Sequence, residues 1–138
     1  RNDVGQADTH GLRLMLAEDN DLNAEIARTL LEDVGVIVTV VGDGQQAVSL
    51  FREEPAGTFD VILMDIMMPV MDGLTATKTI RALDRPDART IPIIAMTANA
   101  FEEDAKKCLA AGMNAHLAKP LDIGKLIATI AQYKTKEK

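Results

Sequence analysis

Residues 59–73 read FDVILMDIMMPVMDG. The run 59–64 is apolar almost throughout and too short for a helix, the pattern of a strand buried on both faces. It stops at Asp65. A loop comes next, Met67-Met68-Pro69-Val70-Met71-Asp72-Gly73, with turn residues at its end. In an open parallel sheet a carboxylate at a strand tip that opens onto a loop stands where ligands bind, outside the carboxyl ends of the strands.

On either side of this stretch, short apolar runs alternate with amphipathic ones, five times in all. The run 12–17 precedes a helix that Asn20 or Asp21 can cap, in which Leu22, Ile26, Leu30 and Val34 form one face before Gly35 stops it. Residues 36–41 are β-branched almost throughout, and a second helix with Ala47, Val48 and Phe51 on one side ends before Pro55. After the loop that ends at Gly73, Leu74, Thr77, Ile80 and Leu83 predict a third helix. Residues 91–96 predict the fourth strand, 101–111 a helix closed by Gly112, 115–118 the fifth strand, and 121–133 a last helix with Ile123, Leu126, Ile127 and Ile130 inward. Strands apolar on both faces and separated by helices imply an α/β fold, a doubly wound parallel sheet covered on both sides. One domain over 12–133 is expected, with 1–11 as linker or disordered and 134–138 as a charged tail.

At 138 residues and 47% hydrophobic, the chain has material for a single core. With 3% aromatic residues, no tryptophan and 7 methionines, that core should be aliphatic, with Met filling irregular gaps. A formal net charge of −6 argues against a nucleic-acid or anionic-membrane surface, because phosphates reward clustered Lys and Arg. The single Cys108 cannot form an internal disulfide, and its helical spacing with Phe101, Ala105 and Leu109 predicts an ordinary core thiol. There is no secretory-signal pattern, no N-x-S/T sequon and no apolar run approaching the ~18 residues that span a bilayer. A cytoplasmic location without direct membrane contact is therefore expected, with a monomer favoured.

The strand ends share a chemistry. The first run ends in Glu18-Asp19, the third in Asp65, the fourth in Thr97 and the fifth in Lys119-Pro120. Two carboxylates about 4 Å apart repel by roughly 4 kcal/mol at an effective dielectric of about 20, so three in one cleft need compensation. Mg²⁺ supplies it, preferring carboxylate oxygen and water, and Glu18, Asp19 and Asp65 suit it, with the backbone carbonyl of Met67 as a further ligand. A carboxylate beside such an ion can act as a nucleophile towards phosphorus, and Asp65 is the candidate. Lys119 then offers a cation to the phosphoryl oxygens and Thr97 a hydroxyl hydrogen bond that only a phosphorylated form can accept. Singly, each residue has an ordinary alternative: Asp65 or Glu18-Asp19 as a helix cap, Lys119 as a surface charge, Thr97 as a strand-end hydroxyl. Their joint placement at four strand ends favours the functional reading.

The pieces LAEDN, VILMDIMMPVMDG, IIAMTANA and AHLAKP resemble the response-regulator receiver (CheY-like) family over nearly all of 12–133. The resemblance implies a flavodoxin-like sheet of five parallel strands in the order 2-1-3-4-5 with five helices. It matches the family's acidic pair to Glu18 and Asp19, its phosphoacceptor to Asp65, its switch hydroxyl to Thr97 and its lysine to Lys119. It implies Mg²⁺ as cofactor, with Mn²⁺ as an alternative ion, and a histidine kinase or histidine phosphotransfer domain as partner. Such a domain catalyses its own phosphorylation and dephosphorylation and is no free-standing turnover enzyme. One position departs from the commonest pattern: His116 stands where many receivers carry Tyr or Phe. A histidine there could couple to Thr97 in a pH-dependent way, or simply pack at the sheet edge. The wording EDNDLNAEIA, with Asn23, is similar to receivers attached to hybrid sensor histidine kinases, which implies a longer parent chain of that kind.

Rival patterns are weaker. Gly42-Asp43-Gly44-Gln45-Gln46-Ala47 imitates the G-x-G-x-x-A dinucleotide fingerprint but lies after the second strand instead of the first, and no P-loop motif exists. Aspartyl-nucleophile phosphatases need a second carboxylate two residues after the nucleophile, where this chain has Met67. A receiver-like interaction module that works without phosphorylation is the remaining alternative, although such proteins usually lack one of the acidic or lysine positions, all present here.

Overall fold

In the computed structural model, which describes residues 10–97, 102–119 and 121–136 (102–104 and 134–136 by backbone only), strands and helices alternate along the chain. The strands are β1 (Arg13–Ala17), β2 (Ile37–Val41), β3 (Val61–Asp65), β4 (Ile93–Thr97) and β5 (Ala115–Ala118). The helices are α1 (Asp21–Asp33), α2 (Gly44–Glu53), α3 (Gly73–Arg81), α4 (Glu102–Ala111) and α5 (Ile123–Lys136). The strands form one parallel sheet in the order β2-β1-β3-β4-β5, as the strand pattern and the resemblance implied.

Alternate residues of the inner strands go to opposite sides of this sheet, the period-two geometry of an extended chain. Met15, Ile62, Met64, Ile93 and Ala95 pack with Val48 and Phe51 of α2, Ile80 of α3 and Cys108 of α4. Leu14, Leu16, Val61, Leu63, Ile94 and Met96 pack on the other side with Ala24, Ala27 and Leu31 of α1 and with Leu126 and Ile130 of α5. Cys108 is a buried thiol of the core, as its spacing predicted. Phe101 lies outside the described residues.

Two strands begin and end later than the apolar runs. Asp60 is occupied with Arg13, its carboxylate accepting from the Arg13 backbone N–H at 2.8 Å, so β3 starts at Val61 and includes Asp65. Pro92 has no N–H for the ladder, and β4 runs from Ile93 through Thr97. The α1 stripe is a larger difference. Leu22 and Ile26 are 69% and 51% exposed and Leu30 is also exposed, while Ala24, Ala27 and Leu31 face the sheet. Two methyl-sized side chains let the helix axis approach the strands closely, and the longer side chains are turned outward. Asn20, rather than Asp21, caps α1 by accepting from the Asn23 N–H at 2.9 Å. Gly35 ends it at φ +89, a left-handed conformation that suits glycine. The last helix begins at Ile123 and continues to Lys136, into the expected tail.

Candidate functional site

Strand ends bring four of the expected side chains together. Asp65 and Thr97 are the last residues of β3 and β4, Glu18 directly follows β1, and Lys119 directly follows β5. Glu18, Asp65 and Thr97 are buried despite their polarity. Burial of the two carboxylates is tolerable because Lys119 and backbone amides satisfy them. Lys119 Nζ lies 3.0 Å from Asp65 Oδ2 and 3.1 Å from Glu18 Oε1. The other Glu18 oxygen accepts from the Asn20 N–H at 3.1 Å, and the other Asp65 oxygen accepts from the Met67 N–H at 3.2 Å. The backbone ties the same parts: Lys119 N–H donates to the Thr97 carbonyl at 2.8 Å, and Glu18 N–H to the Val41 carbonyl at 3.1 Å.

Charge balance is set by this geometry. Burial pushes the Glu18 carboxyl up, Asp65 nearby adds to the rise, and the bonds from Asn20 and Lys119 offset only part of it. For Lys119, burial works to lower the ammonium, but the bonds to Asp65 and Glu18 outweigh it and raise the value.

Asp19, exposed, completes a trio: one oxygen each from Glu18, Asp19 and Asp65 lies within 4.8 Å of the others. Three hard oxygen donors at that spacing, with a single ammonium between two of them, fit an octahedral Mg²⁺ that keeps several waters. Met67 lies in the β3–α3 loop with its side chain exposed. His116 is half-buried on β5, in register with Ala95, and so lies on the same face of the sheet as Thr97, one pleat further from the site. Asn99 and Pro120 are outside the described residues.

One contributor was not legible as a site residue. Asn20 appeared in the sequence only as a cap, yet its N–H holds Glu18. The Gly42-Asp43-Gly44 segment resembled a nucleotide loop. Its amides are engaged elsewhere, Gly42 N–H on Gln46 Oε1 at 2.8 Å and Gly44 N–H on the Met71 carbonyl at 2.9 Å, so they cannot cradle a pyrophosphate. Asp43 caps α2.

The model of the response regulator receiver domain matches residues 14–131 of this chain, nearly the whole described sheet. The chain belongs to the response regulator receiver domain family. This receiver is 38% identical, over 91% of its length, to Histidine kinase 1 of Arabidopsis thaliana, of which it spans 13%. Across the curated relatives it matches, it spans 6% to 15% of their length. Among solved structures, it is similar to the receiver domain of the sensor histidine kinase PA1611 from Pseudomonas aeruginosa PAO1, with 41% identity and a TM-score of 0.79. That match covers 89% of this receiver and 97% of the other chain, which has a magnesium ion coordinated in its active-site cleft. A third relative is a chain of the co-crystal structure of the histidine phosphotransfer protein Ypd1 and the receiver domain of Ssk1 from Saccharomyces cerevisiae. It is 26% identical with a TM-score of 0.80, over 94% of this receiver and 92% of that chain. The receiver is thus of the two-component phosphorelay kind, similar to receivers carried within hybrid histidine kinases, and its acidic pocket is of the type that binds Mg²⁺.

Proposed function

We propose that the receiver accepts a phosphoryl group from a phosphohistidine onto Asp65 and changes conformation in response. The observation that carries this is the Lys119 ammonium bonded at once to Asp65 and Glu18 beside a third carboxylate, Asp19. Glu18, Asp19 and Asp65, with the Met67 carbonyl, would hold Mg²⁺ or, in its place, Mn²⁺; when bound, the ion screens the charge between carboxylate and phosphoryl oxygens. An Asp65 carboxylate oxygen forms the bond to phosphorus as the P–N bond to the donor imidazole breaks. The electron pair leaves with the ring nitrogen. Lys119, 3.0 Å from the carboxylate before reaction, then neutralises a phosphoryl oxygen. The Thr97 hydroxyl donates to another, with His116 on the same sheet face as the coupled group.

These contacts exist only in the phosphorylated form, which is what a two-state switch requires. Moving the α4–β5–α5 face from 1:99 to 99:1 would take about 5.5 kcal/mol, within the reach of a few charge-assisted bonds. The donor would be a histidine kinase or a histidine phosphotransfer domain. Exposed apolar side chains near the cleft, Leu22 and Ile26 on α1 and Met67 and Val70 in the β3–α3 loop, support a protein donor. A longer hybrid kinase as parent chain and a cytoplasmic setting complete the reading; among the described residues no helix is long and apolar enough to cross a membrane.

Acetyl phosphate with and without Mg²⁺, followed by intact mass and peptide mapping, tests it. A Mg²⁺-dependent gain of one phosphoryl group on Asp65, lost in Asp65→Asn, is the expected result. Full labelling of Asp65→Asn at that site overturns the assignment, and no transfer from either acetyl phosphate or a phosphohistidine donor favours the interaction module that works without phosphorylation.

A further inference from the structure

The Gly42-Asp43-Gly44 segment takes no part in the phosphoryl chemistry, yet it is built tightly against the loop after Asp65. Gly44, the first residue of α2, is buried, and its N–H donates to the Met71 carbonyl at 2.9 Å. A Cβ at Gly44 would stand 2.3 Å from the Met71 carbonyl oxygen, 2.9 Å from its carbon and 3.0 Å from the Asp72 carbonyl oxygen. All three are backbone atoms, so no rotamer change relieves the overlap. The loop is gripped at its other end by Gly73, whose N–H donates to the Ile66 carbonyl at 2.9 Å and whose added Cβ would lie 2.3 Å from the Asp65 carbonyl oxygen.

Between these grips the loop has little slack. Met67 N–H is spent on the Asp65 carboxylate. Val70 stands at φ 67, a left-handed conformation that a β-branched residue adopts only under strain. Met71 N–H donates to the Pro69 carbonyl at 2.6 Å across it. A displacement at Met71 therefore passes to Met67 and the Asp65 carboxylate instead of being absorbed on the way.

We propose that Gly44 is a positioning residue for the phosphoacceptor loop: the close backbone contact at the start of α2 sets where Met71 lies, and through it the Met67 backbone and the carboxylate at the metal-binding edge. This rests on Mg²⁺ binding at Glu18, Asp19 and Asp65. Because coupling between two sites is reciprocal, an ion at Asp65 must tighten the Gly44–Met71 contact by as much as that contact favours the ion.

Calorimetric titration with Mg²⁺ alone, on the unsubstituted chain, Gly44→Ala and Val48→Ala, tests the inference. Val48 is a buried α2 residue of the core and takes no part in the backbone contact between Gly44 and Met71, so it reports the effect of weakened helix packing. Gly44→Ala is expected to bind Mg²⁺ about tenfold more weakly while Val48→Ala keeps the affinity of the unsubstituted chain, and Mg²⁺ should slow exchange of the Gly44 amide hydrogen in the unsubstituted chain. Equal affinity in a folded Gly44→Ala, or an equal loss in Val48→Ala, overturns the inference. Where Gly44→Ala does not fold, the exchange measurement decides: slowing supports the coupling and an unchanged rate overturns it. Absence of Mg²⁺ binding by the unsubstituted chain overturns the metal reading itself, and that result is recognised without any variant.

Discussion

Lys119 stands between two nearly buried carboxylates whose mutual repulsion has no other fixed cation in contact among the described residues. Its removal by Lys119→Met should cost about 1–2 kcal/mol in ion-free buffer, less than for a fully buried pair because the side chain is partly exposed. Mg²⁺ should restore most of the loss and bind at least as tightly as before, since the ammonium no longer competes for Asp65 and Glu18. Urea midpoints with and without Mg²⁺ measure both effects; a variant as stable as its parent without the ion would mean the carboxylates are balanced otherwise. Glu18, Asp65, Thr97 and Lys119 were legible in the sequence because each stands where an apolar run stops. Asn20 was not, because what it contributes is a backbone N–H, which every residue but proline carries, aimed by tertiary structure alone; nor was the close approach at Gly44, because the carbonyls it meets belong to a loop distant in sequence.

In the connection from α3 to β4, Arg85 pairs with Asp87 two residues on and also reaches across to α2. Arg85 lies over the Phe51 ring at 4.5 Å, donates to the Phe51 carbonyl and pairs with Asp87 at 2.7 Å. Burial alone would push the Asp87 carboxyl up, but the bonds from Arg85 and the Gly57 N–H outweigh it and hold it below the usual carboxylate range. A carboxyl lowered by folding adds stability that is present above its unfolded value, about 3.9, and lost as pH falls through the folded one. Asp87→Asn should therefore be less stable by about 1 kcal/mol at neutral pH, with the gap to the parent closing towards pH 3, as denaturant midpoints across that range would record. Existence and kind of every described element were legible from period and punctuation. Which face of α1 meets the sheet was not: the intervals of four at Leu22, Ile26 and Leu30 are a genuine helical stripe, but Ala24, Ala27 and Leu31 permit the closer approach.

Across the whole molecule, short apolar runs separated by helices dictate a parallel sheet, and its strand order, which the family resemblance implied, carries residues from both ends of the chain to one edge. The opposite end of the sheet is held by side chains that no motif announces. Arg81 donates to the Gly112, Ala88 and Ile91 carbonyls and to Asn114 Oδ1, and the Tyr133 hydroxyl donates to the Asn114 carbonyl. That network depends on three elements meeting, which a linear pattern does not encode. The alternation of the inner strands between two separate clusters has a thermodynamic side. A cavity opened in one cluster has no neighbour in the other, since the hydrogen-bonded backbone of the sheet lies between them. Losses from Val48→Ala and Leu126→Ala should thus sum to within about 0.5 kcal/mol in the double variant, whereas Val48→Ala with Phe51→Leu, inside one cluster, should depart from the sum by more. The sheet thus divides the receiver into two interiors whose losses should add.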